Sequence, residues 1–153
     1  MKPRMNIFQV APDAIKGMVA VETAIGKSGL EHGLLELVRL RASQINGCGY
    51  CIYMHVKDAL KQGEADIRLH LVSAWRESPL FTARERAALI WTETLTRVAD
   101  TGAPDDDYEQ LKEYFNETEI AYLTVLIGAI NVWNRVQIGL RAIHPVEDIK
   151  AVA

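Results

Sequence analysis

Apolar residues return every three or four positions along almost the whole chain, and no stretch alternates apolar and polar residues over strand length between turn signals. The pattern predicts an all-α protein. A first helix is expected from Pro12 to Gly26, on Ile15, Met18 and Val19, and "GKSGLEHG" then breaks the chain with its glycines. A second helix spans about Leu34 to Gln44 and ends at Asn46-Gly47. A third opens at Cys48 and runs to about Gln62, with Ile52, Val56, Ala59 and Leu60 on its apolar stripe. A short helix covers Ala65 to Ser73. "TARERAALIWTETLTRV" is the strongest local signal: Thr82 caps it, Glu85 completes a capping box, and Ala88, Trp91, Leu95 and Val98 repeat at helical spacing. A helix from about Asp105 to Phe115 and a long one from Asn116–Thr118 to about Ala142 complete the set. The last is apolar on most sides, which predicts that several neighbours bury it, subunit contacts among them.

At 153 residues, 49% apolar and 24% charged, the chain reads as one domain over residues 1–153 with a sizeable core. The net charge of −3 and the lack of a basic tract exclude a nucleic-acid backbone as partner. Ile120–Asn134 carries no charge but falls short of the roughly 18–20 apolar residues of a spanning helix, so it reads as a packed helix with no membrane role. The start, MKPRMNIFQVAPDA, has no apolar signal-peptide region. A cytoplasmic, reducing location is therefore expected, where a lasting structural disulfide is disfavoured.

That expectation matters for "INGCGYCIYMH", residues Ile45 to His55, which holds both cysteines of the chain. Three readings are open: a redox pair, half of a metal site, or two neighbouring core residues. If the helix begins at Cys48, both sulfurs approach its free N–H groups, an environment that favours thiolate. The spacing permits a disulfide across the turn. His55 falls one turn after Cys51 on the same face and can take its thiol proton. On spacing, Cys51 is the candidate nucleophile and Cys48 the resolving thiol. A zinc site would use Cys48, Cys51 and His55, with Glu36 or His144 as fourth ligand. Glu36, taken alone, is a helix-surface partner of Arg39, three residues on. Its neighbours Leu35 and Leu37 place it at the edge of the core, where burial raises a carboxyl pKa. His32 and His70 read as surface residues, and His144 as a histidine closing the last helix. Trp75, Trp91 and Trp133 read as packing residues, with lining of a substrate entrance as the other role open to them.

Glu36, eleven residues, Cys48, two residues, Cys51, three residues and His55, set in "LLELVRLRASQINGCGYCIYMH" with "SAWRESPLFTARERAALIWTETLT" downstream, resemble the alkylhydroperoxidase D-like group of the carboxymuconolactone decarboxylase superfamily. The resemblance implies an all-helical homo-oligomer, trimeric or hexameric, that reduces hydroperoxides without a prosthetic group. Its electrons would come from a dithiol or a lipoyl-type donor protein. It gives Cys51 the peroxide chemistry, Cys48 the resolving role, and His55 and Glu36 a proton relay. The decarboxylase branch lacks the cysteine pair, so lactone decarboxylation is not expected. One position departs: the best-studied hydroperoxidases carry a histidine just before the second cysteine, and here it is Tyr50. The rival expectation is a redox switch or zinc protein that uses the same cysteines without turnover.

Overall fold

The computed structural model describes residues 1–146, and among these every regular element is helical. Asn6 caps a single turn, α1 (Ile7–Val10). Helix α2 (Pro12–Gly26) starts on Pro12, whose missing N–H costs nothing at a helix start. Helix α3 (His32–Asn46) stops at Gly47, which takes a φ of +70° that side chains resist. Helix α4 (Gly49–Lys61) begins at once, with Cys48 as its N-cap. Helix α5 (Asp66–Leu71) tightens into a 3₁₀ segment, Val72–Glu77. Helix α6 (Ala83–Thr96) carries the expected capping box of Thr82 and Glu85. After the one-turn α7 (Val98–Thr101), helix α8 (Asp105–Lys112) opens on three aspartates at its positive end. Helix α9 (Glu117–Leu140) is capped by a second box, Asn116 with Glu119.

The expected helices are present to within a few residues at their ends. The single turns α1 and α7 are additions, since four residues are too short to show a period. Helix α9 stops at Leu140, short of the expected Ala142, because Arg141 turns left-handed at φ +57°.

The helix at the centre is α3, not α9. Leu34, Leu35 and Val38 on one side of α3 pack with Ala88 and Trp91 of α6 and Leu123, Leu126 and Ile127 of α9. Leu37 and Leu40 on its other side pack with Ala59 of α4, Leu69 of α5, Val72, Trp75 and Leu89. Helix α9 packs against α2, α3, α4, α6 and α8, yet one face stays open, with Val125, Val132 and Ile138 nearly half exposed. By length and composition α9 would suffice to cross a membrane. It nevertheless buries Asn134 and Gln137 against the rest of the protein.

Candidate active site

The turn between α3 and α4 builds the site. Gly47 donates its N–H to the Gln44 carbonyl, and the Cys48 N–H reaches the Ser43 carbonyl at 3.0 Å, so the end of α3 is tied off as α4 begins. Cys48 is extended (φ −83°, ψ 92°), and its sulfur accepts the Cys51 N–H at 3.3 Å. The two cysteines are joined as a disulfide, with Cα atoms 5.3 Å apart, and each is only 1% exposed. A polar clamp from α9 holds this turn: Asn134 donates to the Ser43 hydroxyl at 3.0 Å, and Asn46 donates to the side-chain oxygens of Asn134 and Asn131 at 2.8 and 2.9 Å.

His55 lies one turn beyond Cys51, buried, with its Nδ1 2.8 Å from Glu36 Oε2. The other Glu36 oxygen accepts from Arg39 at 2.7 Å, and Arg39 also donates to Glu22 at 2.7 Å. Trp133 donates its indole N–H to the free oxygen of Glu22 at 3.1 Å. A continuous chain of hydrogen bonds thus runs Trp133, Glu22, Arg39, Glu36, His55, drawing on α9, α2, α3 and α4. Burial pushes the Glu36 pKa up, but the hydrogen bond and charge of His55, with those of Arg39, outweigh it and hold the carboxyl below its ordinary value. This reverses the direction expected at the edge of the core. Both partners assigned to Glu36 are present, one on each oxygen.

An ionised Glu36 can only accept, so it fixes the proton of a neutral His55 on Nδ1 and leaves Nε2 as the basic nitrogen. That Nε2 is buried and has no hydrogen-bond partner. His55, Glu36 and Cys51 line one cavity of about 310 Å³, together with Tyr50, Met54 and Trp133. The arrangement provides a base with an open lone pair, held by a carboxylate, in the same space as a sulfur at a helix N-terminus.

The structure therefore brings Glu36, Cys48, Cys51 and His55 together. Sequence reasoning missed Glu22, which sits on a helix read only for its apolar stripe. Trp133 lines the cavity that holds Cys51 and His55, whereas Trp75 and Trp91 are core residues. His144 does not close α9 but lies beyond its end, its ring stacked on Tyr53 at 4.8 Å between centroids. Zinc binding by Cys48, Cys51 and His55 would need both cysteines reduced, and here they are joined as a disulfide. Among the described residues the grouping with ligand spacing is Glu36, His55 and Asp58, all within 4.8 Å, and its first two members already bond each other.

Fold and site together define an all-helical protein with a disulfide-bonded Cys-x-x-Cys pair at a helix N-terminus. The chain belongs to the carboxymuconolactone decarboxylase family, which it matches over residues 12–94, and within it to the alkylhydroperoxidase D-like group. It is 34% identical over 140 residues to YdfG of Bacillus subtilis strain 168, an uncharacterized protein, across 92% of this chain and 95% of that one. A solved protein of unknown function from Agrobacterium tumefaciens, assigned provisionally to antioxidant defence as AhpD, is 48% identical with a TM-score of 0.93, over 95% of this chain and all of that one. The alkylhydroperoxidase AhpD core of an uncharacterized peroxidase-related protein from Ralstonia eutropha JMP134 shares the fold at 19% identity and a TM-score of 0.81, over 92% and 75% of the two chains. The family and the cysteine pair fit a peroxidase-related redox role.

Proposed function

We propose that the protein is a thiol peroxidase that reduces hydroperoxides at Cys51. The Cys51 thiolate attacks one peroxide oxygen, the O–O bond breaks, and Cys51 becomes a sulfenic acid. The departing alkoxide or hydroxide takes the proton that His55 accepted from the thiol. Cys48 then attacks the Cys51 sulfur, water leaves, and the disulfide forms. A dithiol donor, small or carried on a lipoyl-type protein, returns two electrons. One observation carries this reading: the unpartnered Nε2 of a Glu36-bound His55 lines the same cavity as Cys51.

Glu36 acts in this scheme as a positioning residue. Held ionised, it orients the ring and stabilises the imidazolium, and it is not itself a store for the proton. Tyr50, where related hydroperoxidases have histidine, is a poor base at neutral pH, so His55 carries the proton transfer alone. The working form is a homo-oligomer, trimeric or hexameric, a reading supported by the open apolar face of α9 beside Val21 of α2.

Peroxide consumption with a panel of dithiol donors tests the activity. Cys51→Ser is expected to abolish it, while Cys48→Ser still yields a trappable sulfenic acid but does not cycle. Glu36→Gln should slow turnover more than it slows alkylation of Cys51 by iodoacetamide, because alkylation needs thiolate alone. Disulfide formation by peroxide without sustained turnover under any donor would make the pair a switch and remove the enzyme reading.

A further inference from the structure

The cavity shared by Cys51 and His55 is lined by both carbon and charge. Phe8, Met54, Ile130 and Trp133 give it apolar surface. Glu22, Glu36 and Asp58 give it three carboxylates, and Arg39 gives it a single guanidinium. Arg39 is engaged at both of its terminal nitrogens: Nη1 donates to Glu36 and Nη2 to Glu22, each at 2.7 Å. Three carboxylates against one guanidinium leave an excess of two negative charges when His55 is neutral, and of one when it is protonated. Asp58 is the exposed member of the set, three residues past His55 on α4. A carboxylate oxygen of Asp58, one of Glu36 and a ring nitrogen of His55 all lie within 4.8 Å of one another. Among the described residues no other arginine and no lysine lines this cavity. Lys57, next to Asp58 in the chain, donates to the Tyr53 hydroxyl at 3.1 Å.

We propose that this cavity admits neutral molecules and turns away anionic ones, with Asp58 as the specificity-determining residue at its mouth. Under the peroxidase reading, on which the choice of substrate rests, neutral hydroperoxides are taken and hydroperoxides that carry a carboxylate are excluded. Three observations favour it. The buried Nε2 of His55, on a residue 6% exposed, has no partner in the protein, which marks the cavity as a place that receives a ligand. No cation is left over to meet an incoming anion, because Arg39 already serves two carboxylates. The apolar walls hold water away from the carboxylates, so their charges act at fuller strength than they would in open solvent. The positive end of α4 is the opposing feature. Its Cys51 N–H is already taken by the Cys48 sulfur at 3.3 Å, and a protonated His55 is balanced by Glu36 at 2.8 Å.

Asp58 acts on entry and not on the sulfur. A carboxylate on the incoming molecule would give up water and then sit beside Asp58 and Glu36 with no cation to match it, a cost that rises as the apolar walls close round it. A neutral molecule meets no such charge and gains the contact with Met54, Phe8 and Trp133. Two reagents of one shape that differ in charge therefore reach Cys51 at different rates, whatever fraction of it is thiolate.

Alkylation measures this directly. Cys48→Ser leaves Cys51 as the one thiol of the chain, and serine keeps a cap on α4. Cys51 is then alkylated with neutral iodoacetamide and with anionic iodoacetate, and the ratio of the two rates is set against the ratio for N-acetylcysteine amide. Iodoacetamide is expected to lead by roughly ten-fold beyond the free-thiol ratio. Adding Asp58→Asn should narrow that lead by about three-fold, Asp58→Lys should narrow it further, and high salt should narrow it in the parent protein. A ratio equal to that of the free thiol, or one that neither substitution moves, overturns the proposal. Rapid mixing of the reduced protein with cumene hydroperoxide and with its 4-carboxylate should show the same preference, and equal rates with the two overturn the proposal. A protein that shows the alkylation bias but reacts with neither peroxide defeats the peroxidase reading and leaves the charge filter standing.

Discussion

Helices α3 and α9 lie against each other and invert what their compositions suggest. Helix α3 carries Glu36, Arg39 and Arg41 within fifteen residues, yet it is enclosed on nearly all sides. Helix α9 runs from Ile120 to Asn134 without a charge, yet keeps one face open. The difference lies in pairing. Each charge of α3 has an opposite partner within 2.7 Å: Glu36 with Arg39, Arg39 also with Glu22, Arg41 with Glu93. Charges can be enclosed when their partners travel with them. Helix α9 spends its buried positions differently, on Asn134 and Gln137 toward the site and on leucine and isoleucine toward α3 and α6. Hydropathy alone does not identify the centre of this molecule.

The comparison breaks most easily at Leu40, fully enclosed on α3. Leu40→Ala is expected to cost about 3–4 kcal/mol of stability in urea denaturation, through lost burial and the cavity left behind. A cost near that of an exposed α9 position would show that α3 is not the centre.

Glu93 sharpens the comparison. Its carboxylate accepts from Arg41, Trp75 and Arg76 at 2.7, 2.8 and 2.6 Å. Burial raises its pKa, but the Trp75 and Arg76 hydrogen bonds, with the charge and hydrogen bond of Arg41, win, so the folded value lies below the ordinary one. Glu93→Gln should cost about 2–3 kcal/mol at pH 7 by leaving Arg41 unmatched. The sign of the pH dependence follows from the depressed value. The carboxylate contributes its full stability above the unfolded pKa of about 4.3, and the contribution is lost as pH falls through the lower folded value. The gap between wild type and Glu93→Gln should therefore start to narrow as pH falls below about 4.3 in acid unfolding curves and go on narrowing until the lower folded value is passed, and a gap that stays constant throughout would contradict the assignment.

The smallest effect on the fold belongs to the open face of α9. Val132→Ser should change monomer stability by no more than about 0.5 kcal/mol. It should still weaken self-association, read as a lower mass by light scattering at micromolar concentration. A wild-type protein that is already monomeric there removes the oligomer proposal.

Local signals were legible in the sequence and distant ones were not. The capping box of Thr82 and Glu85, the glycine stop at Gly47 and the placement of Cys48 as an N-cap follow from a few adjacent residues, and all stand in the structure. Cys51 and His55 share a face because helical spacing dictates it. The residues themselves gave Glu36 only Arg39 as a partner, since its contact with His55 closes across the α3–α4 hairpin over 19 positions, and the family resemblance supplied the role. Glu22 meets Trp133 across 111 positions, a separation at which no periodicity speaks. His144 was misplaced for a smaller reason: Arg141 takes a left-handed turn that a non-glycine residue does not advertise.

Cys48 closes one helix with its N–H and opens the next with its sulfur, so one atom is both half of the disulfide and the acceptor that holds the first turn of α4. When the pair is reduced, that acceptor becomes a thiol or thiolate, and a thiolate is the stronger cap. Under the proposed cycle the Cys51 amide would serve as a gauge: its hydrogen-exchange rate is expected to differ between the disulfide and the reduced pair, and to be slowest with Cys48 as thiolate.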